Sequence, residues 1–261
     1  MLLCVSPINN AIAVHSVSHH QYADDTQLQP NTNVTFKPIS ECTDEVDRWF
    51  LENKLFLNPS KMEAMLSSMQ VQCNKVNTSG GVEIAGTTIR FGDFIKLLGV
   101  NLDPSISMNR HVTELVRSCY HHICAVGHIR LLLTLESTKM VALSIVAAHL
   151  GYCNSLLYGT SSDNLWKLQV TQSALARVVC QATRTCSATK LRRQLHWLPV
   201  KQRIDYKLAV LTYKVRQSGS PSYLASLISD YVPSRSLRSS DTLLLSHPYR
   251  YLLHDSQGIF C

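Results

Sequence analysis

The chain has 261 residues, of which 45% are apolar and 16% charged, and this composition is typical of a globular protein rather than a disordered one. Its longest apolar run, Met140–Leu150, is far below the roughly 20 residues that span a bilayer. The N-terminal stretch has no positively charged leader. We therefore expect a nuclear or cytoplasmic protein that is not secreted and has no membrane partner.

A β-hairpin is predicted near the start of the chain. Residues Val17–Tyr22 and Thr26–Leu28 have the pattern of extended segments, and Pro30 ends the return strand. The turn between the two segments falls on the adjacent aspartates Asp24 and Asp25. Because an acidic pair at a solvated turn is common, this pair alone is only weak support for a functional site.

A helix and further short strands are predicted after the hairpin. Ser40 can cap the helix, whose first turn is acidic, and the Asn58–Pro59 pair closes it. The apolar face of this helix consists of Val46, Trp49 and Phe50. The segment VEIAGTTIRF turns at Gly86, and FIKLLGVNLD is another strand-like run. Residues 1–104 are thus predicted to form one unit of short antiparallel strands plus a helix.

The spacing of apolar residues becomes helical from Ser107 onward. Beyond the helix that begins there, helices are predicted over Leu135–Leu157, Asp163–Val179, Thr189–His196, Val200–Gln217 and Pro221–Ile228. We therefore expect residues 105–232 to be all-helical and residues 233–261 to be a loosely ordered tail. The predicted fold class is α+β, with the strands confined to the first part of the chain.

Charge is distributed unevenly along the chain. Residues Met1–Ser60 hold seven acidic and three basic residues, whereas Ala176–Arg250 hold thirteen basic and three acidic ones. The highest density of cations is formed by Lys190, Arg192, Arg193, Lys201, Arg203 and Lys207. Such a surface would attract the phosphate backbone of a nucleic acid without reading its sequence. On charge alone, a solvated helix face is the alternative interpretation.

The nine cysteines, in a chain without secretory features, indicate reduced thiols rather than disulfides. The cluster most like a metal site contains Cys119, His121, His122, Cys124 and His128. These residues lie within one helical pattern, where their side chains point in several directions and cannot close a tetrahedral zinc site by themselves. We interpret them as core and surface positions of a helix.

Several blocks of sequence occur in a fixed order along the chain. They are YADDTQL at 22–28, LNPSKMEAML at 57–66, KLLGVNLD at 96–103, GYCNSLLYG at 151–159, the long block at 195–214 and PSYLASLI at 221–228. Together they resemble the reverse transcriptases of non-LTR retrotransposons over nearly the whole chain. The resemblance implies an RNA-directed DNA polymerase that uses Mg²⁺, an RNA template and a DNA primer. It also implies a partial polymerase palm over residues 1–104, followed by a thumb-like helical extension.

The resemblance assigns catalytic roles by position. Asp24 and Asp25 match the acidic pair of the family's metal-binding hairpin, and Lys61 matches a lysine near the incoming triphosphate. Nucleotidyl transfer needs Mg²⁺ beside the attacking hydroxyl and the leaving pyrophosphate. Since Mg²⁺ takes one or two carboxylates plus substrate phosphates, two adjacent aspartates supply only part of a two-metal site.

Other positions match residues that contact the substrate or the primer. Tyr22 and Ala23 match residues beside the primer terminus and the bound nucleotide. Leu98 and Gly99 lie in the strand that matches the segment steadying the primer end. The basic helices match the part of the family fold that would follow the template and primer backbone.

The expected function is that of a reverse transcriptase fragment that does not polymerise alone. In the family, a Gln-Gly loop and a strand with another metal-binding aspartate precede the position that Met1 matches. Two alternatives remain. One is a non-catalytic nucleic-acid-binding protein that uses the basic helical half, and the other is a pseudogene product without function.

Overall fold

The computed structural model describes residues 8–15, 17–23, 25–30, 37–67, 81–84, 86–231, 244–246 and 258–260. Asp24 and most of the predicted tail at 233–261 lie outside these residues. The chain divides into an N-terminal unit, Met1–Arg110 with Leu253–Cys261, and a helical unit, His111–Leu252. Within the described ranges, no helix combines the length and the apolar character needed to cross a membrane.

The N-terminal unit is a mixture of helices and short antiparallel strand pairs. Its elements are α1 (Ile8–Ala13), β1 (Val17–Tyr22), β2 (Asp25–Pro30), α2 (Lys37–Glu52), a 3-10 turn (Pro59–Lys61), β3 (Met65–Ser67), β4 (Gly81–Ile84), β5 (Thr87–Arg90), β6 (Ile95–Leu97), β7 (Val100–Leu102) and β8 (Gly258–Phe260). The antiparallel pairs are β1 with β2, β4 with β5, β6 with β7, and β3 with β8. The mixed α and β class is therefore confirmed.

The predicted hairpin is present as β1 and β2. Its ladder runs from Val17 opposite Pro30 to Tyr22 opposite Asp25. Asp25 is thus the first residue of β2 and not, as predicted, a residue of the turn. The reason is the left-handed backbone of Ala23, with φ of 58°, which begins the reversal.

The helix α2 begins earlier than predicted, at Lys37 rather than after Ser40. Pro38 is tolerated in the first turn because that turn needs no hydrogen bond from its N–H. Ser40 is not a cap: its hydroxyl donates to the carbonyl of Glu83 at 3.5 Å. The helix also ends before Asn58, since its last residue is Glu52 and the chain turns at Lys54, whose φ is 57°.

One apolar core holds the N-terminal unit together. It contains Ile8, Ile12, Val17, Leu28, Ile39, Cys42, Val46, Ala64, Val82, Ile84 and Ile89. Trp49 and Phe50 of α2 pack against it, with their ring centroids 5.4 Å apart. Because Val17 and Leu28 belong to this core, the base of the hairpin is anchored by hydrophobic burial. The tip of the hairpin, with Tyr22 and Asp25, is exposed.

The described part of the helical unit contains helices and short helical turns. They are α3 (Asn109–Ile129, which starts in the N-terminal unit), a 3-10 turn (Arg130–Leu132), α4 (Leu135–Ala142), a π-helical segment (Leu143–Ala147), α5 (Ala148–Gly151), a 3-10 turn (Asn154–Leu157), α6 (Ser162–Cys180), α7 (Ala188–Gln194), α8 (Val200–Ser218) and α9 (Ser222–Ala225). The helix predicted over Leu135–Leu157 ends at Gly151, because Cys153 adopts a left-handed φ of 48°.

Helix α6 lies at the centre of the helical unit. It contacts α4, α7 and α8. Its buried residues are Asn164, Leu168, Thr171, Gln172, Ser173, Leu175, Ala176 and Val179. The Ser161 side chain caps its first turn by accepting the N–H of Asn164 at 3.3 Å. Several polar side chains are therefore buried along the helix around which the unit packs.

Candidate functional site

The hairpin tip is the first predicted site. Tyr22 is 69% exposed, and Asp25 is also exposed. The side-chain amide of Gln21 donates to the carbonyl of Ala23 at 3.3 Å, which stabilises the turn. The carboxylate of Asp25 makes no hydrogen bond or ion pair with another described residue, so it can bind a ligand from solvent.

The described residues of the hairpin tip supply one carboxylate, that of Asp25. Among the described residues, no three His, Cys, Asp or Glu side chains lie close enough together to hold a metal ion. Asp25 is the described member of the predicted pair, and Asp24 lies outside the described residues. The pair can therefore hold Mg²⁺ only if substrate phosphates and water supply the remaining ligands.

The predicted triphosphate contact, Lys61, ends the 3-10 turn at Pro59–Lys61 and is exposed. Asn58 holds this turn in place, because its Oδ1 accepts the N–H of Ser60 at 3.1 Å and the hydroxyl of Ser60 at 2.6 Å. No hydrogen bond or ion pair links Lys61 to the described part of the hairpin tip. Both sites belong to the N-terminal unit.

The segment predicted to be a single primer-contacting strand is itself a hairpin. Leu98 and Gly99 form its turn, with φ of 46° and 82°, between the paired residues Leu97 and Val100. Positive φ at both turn residues is typical of the tight turns that join antiparallel strands. The backbone N–H of Lys96 donates to Glu63 Oε2 at 2.8 Å and braces β6.

Four of the six predicted cations of the helical unit face solvent. Lys190 and Arg193 lie on α7, and Lys201 and Lys207 lie on α8. All four side chains belong to exposed residues. They remain available to phosphate groups, as the charge pattern predicts.

The other two cations, Arg192 and Arg203, are half-buried and contact protein groups. Arg192 donates to the Ser173 hydroxyl at 2.7 Å, and Arg203 donates to the carbonyl of Ala147 at 3.4 Å. Burial lowers the pKa of both guanidinium groups below the usual arginine value, and the neighbouring Arg177 lowers that of Arg192 further. Both groups stay protonated at neutral pH, but their roles are partly structural.

The cysteine and histidine cluster of α3 is distributed around the helix. Cys119 is buried, and burial raises its pKa to about 11. Cys124 and His128 are exposed, and His128 Nδ1 is hydrogen-bonded to the carbonyl of Cys124 at 2.8 Å. These are core and surface positions of one helix, in line with our interpretation of the sequence.

A cleft of about 440 Å³ in the helical unit was not predicted from the sequence. His196 and Trp197 line it together with Asn154, Gln172 and Arg203. These residues come from well-separated segments, so no local motif could have signalled the cleft. Its formation depends on how α5, α6 and α8 pack.

Comparison with known proteins gave no support for a family: no family model, curated protein or solved structure matches the chain.

Proposed function

We propose that this chain is part of a reverse transcriptase of the non-LTR retrotransposon type and binds a template–primer duplex without polymerising by itself. The observation that carries the proposal is the β1–β2 hairpin, whose base is anchored by Val17 and Leu28 and whose exposed tip carries Asp25. A rigid ladder ending in short carboxylates suits the positioning of Mg²⁺ near phosphate groups. The resemblance of YADDTQL to the family hairpin agrees with this geometry.

We infer the absence of polymerisation from the chemistry of the reaction. The acidic pair Asp24 and Asp25 provides two carboxylates, whereas two-metal nucleotidyl transfer needs further ligands that bridge the ions. The described residues contain no group of three metal-binding side chains, which agrees with this inference. The role expected of this chain is therefore to bind nucleic acid and to place phosphates near the tip.

Primer extension tests this proposal on the full chain. The assay uses a labelled DNA primer on an RNA template with Mg²⁺ and the four deoxynucleotides, and the control is the Asp24→Ala/Asp25→Ala variant. We expect no extension by either protein but salt-dependent binding of the RNA–DNA duplex by both. Mg²⁺-dependent extension that Asp24→Ala abolishes would overturn the predicted inactivity. Failure to bind the duplex at low salt would overturn the proposal itself.

A second candidate function is nucleic-acid binding by the helical unit alone. The observation that favours it is the exposure of Lys190, Arg193, Lys201 and Lys207. The two functions differ in their response to Mg²⁺. If the hairpin takes part, Mg²⁺ strengthens duplex binding and Asp25→Ala removes that gain. If the helical unit acts alone, Mg²⁺ only screens charge, and Asp25→Ala changes nothing.

A further inference from the structure

The cleft of the helical unit has the electrostatic character of an anion site. Its cationic side chains are Arg203 and Lys207, and His196 adds an imidazole. No Asp or Glu is among the residues that line it. An anion entering the cleft thus meets positive charge without opposing carboxylates, and the arginine can bind two oxygens of a phosphate at once.

One buried polar atom in the wall has no partner. Asn154 is 6% exposed and lines the cleft, and its Oδ1 accepts no hydrogen bond in the described structure. A buried acceptor without a donor is unfavourable, so such atoms in native proteins commonly bind water or a ligand. The missing partner must be an N–H or O–H donor.

The remaining wall offers apolar and aromatic surface. Leu143, Ala147, Leu150 and Leu175 supply the apolar part, and Trp197 and Tyr206 supply two aromatic rings. Ring faces such as these stack on planar groups, including nucleobases. A volume of about 440 Å³ lies within the range of small-molecule sites, roughly 300–1,000 Å³.

The wall is held in place by hydrogen bonds that do not involve a ligand. Gln172 donates to the carbonyl of Leu198 at 2.8 Å, and the N–H of Val200 donates to Gln169 Oε1 at 3.0 Å. These bonds fix the segment that carries Trp197 to α6. At Gly151, an added Cβ would lie 3.2 Å from Arg203 Nη2, so the glycine leaves room for the guanidinium group.

We propose that this cleft binds a nucleoside monophosphate group, with the phosphate at Arg203 and Lys207 and an N–H of the base donating to Asn154 Oδ1. The aromatic rings would contact the base. The group can come from a free nucleotide or from one residue of a nucleic-acid strand. This site lies in the helical unit, and the proposal holds whether or not the chain belongs to a reverse transcriptase.

The test is calorimetric titration of the full chain with AMP, GMP, CMP and UMP, and separately with adenosine and with inorganic phosphate. We expect at least one nucleotide to bind in the micromolar to millimolar range and clearly more tightly than adenosine or phosphate. The proposal is overturned if no nucleotide binds, or if phosphate alone binds as well as the nucleotides do. In the latter case the cleft would be a simple anion site.

A matched pair of variants on α8 localises the binding. Lys207 lines the cleft, whereas Lys214 is exposed on the same helix and does not line it. Lys207→Ala should weaken nucleotide binding about tenfold, and Lys214→Ala should change it less than about twofold. Equal effects of the two substitutions would indicate general charge attraction and would contradict the site.

A third variant tests recognition of the base. Asn154→Leu removes the acceptor at similar volume and should weaken nucleotide binding while leaving inorganic phosphate binding unchanged. Circular dichroism checks that this variant is folded. If it is not folded, the comparison of Lys207→Ala with its control variant decides whether the cleft binds the nucleotide. Competition with a single-stranded oligonucleotide identifies the natural ligand. If the oligonucleotide displaces the nucleotide and Asn154→Leu weakens its binding, the cleft binds a residue of a nucleic-acid strand. If the oligonucleotide does not displace the nucleotide, the cleft binds a free nucleotide.

Discussion

Arg192 donates through Nη1 to the hydroxyl of Ser173 at 2.7 Å, and this bond joins α7 to the central helix α6. Ser173 in turn donates to the carbonyl of Gln169 at 2.8 Å. The arginine therefore completes a chain of hydrogen bonds inside the helical unit. Arg193, the next residue on the same helix, is exposed. Two adjacent arginines thus have different roles, and substitution can separate them.

The first prediction concerns this pair. Arg192→Ala should lower the free energy of unfolding by about 1–2 kcal/mol, because it removes a charge-assisted hydrogen bond from a half-buried position. Arg193→Ala should change it by less than about 0.5 kcal/mol, as expected for an exposed side chain. Urea denaturation followed by circular dichroism measures both. Equal losses in the two variants would show that Arg192 does not brace the unit.

The second prediction concerns binding of nucleic acid. Each cation that contacts a duplex phosphate contributes about −0.9 to the slope of log Kobs against log salt. Lys190→Ala/Lys201→Ala should therefore make the slope shallower by about 1.8 units if both residues bind phosphate. The control is Lys54→Ala/Arg117→Ala, which removes the same net charge at exposed positions elsewhere. An equal change in the control would rule out a localised binding surface.

The third prediction concerns pH. Burial lowers the pKa of His111 below its usual value of 6.5, although Glu114 acts in the opposite direction. The unfolded chain then binds this proton more readily than the folded chain does. The contribution of His111 to stability is complete above pH 6.5 and decreases as the pH falls below that value.

Urea titrations over a series of pH values test this contribution. In a plot of the free energy of unfolding against pH, the acidic limb is the decrease at low pH. His111→Asn should make this limb less steep than in the unmodified chain, because asparagine cannot titrate. His121→Asn, at an exposed position on the same helix, is the matched control for the substitution. A limb of the same steepness in the His111 variant would refute the assignment.

The fourth prediction concerns thiol reactivity. Cys42 and Cys119 are buried, and burial raises the pKa of each to about 11, with Glu45 adding to the effect at Cys42. Relative to a thiol of pKa 9.0, their thiolate fraction is about 100-fold lower, and the thiolate is the reactive form. Exposed Cys124 and Cys186 should therefore be alkylated first by iodoacetamide. Peptide mapping at increasing times gives the order, and early labelling of Cys119 would contradict its burial.

The sequence predicted those features that depend on neighbours along the chain. The β1–β2 hairpin follows from alternation on both sides of a turn, and the helical unit follows from regular apolar spacing. The predicted start of α2 was wrong: the helix begins at Lys37, and Ser40, which was expected to cap it, instead contacts Glu83, which is distant in sequence. No local pattern contains that contact.

Contacts between residues distant in sequence also decided which predictions about the candidate sites were possible. Counting charges identified the basic segment but could not distinguish Arg203, which contacts Ala147, from Lys201, which faces solvent. The cleft depends on residues such as Asn154 and Trp197 that are far apart in sequence. Its chemistry appears only after the helices have packed.

The π-helical segment Leu143–Ala147 forms part of the cleft wall and allows that wall to accommodate the deletion of one residue. Its hydrogen bonds skip one residue more than those of an α-helix, so the segment holds one surplus residue. Deleting one of these residues can be absorbed by rewinding the segment as regular α-helix, and Leu150 and Gly151 then keep their orientation. The same deletion within α6 would rotate every later side chain by about 100°. A one-residue deletion in this segment should therefore disturb the cleft less than a one-residue deletion in α6.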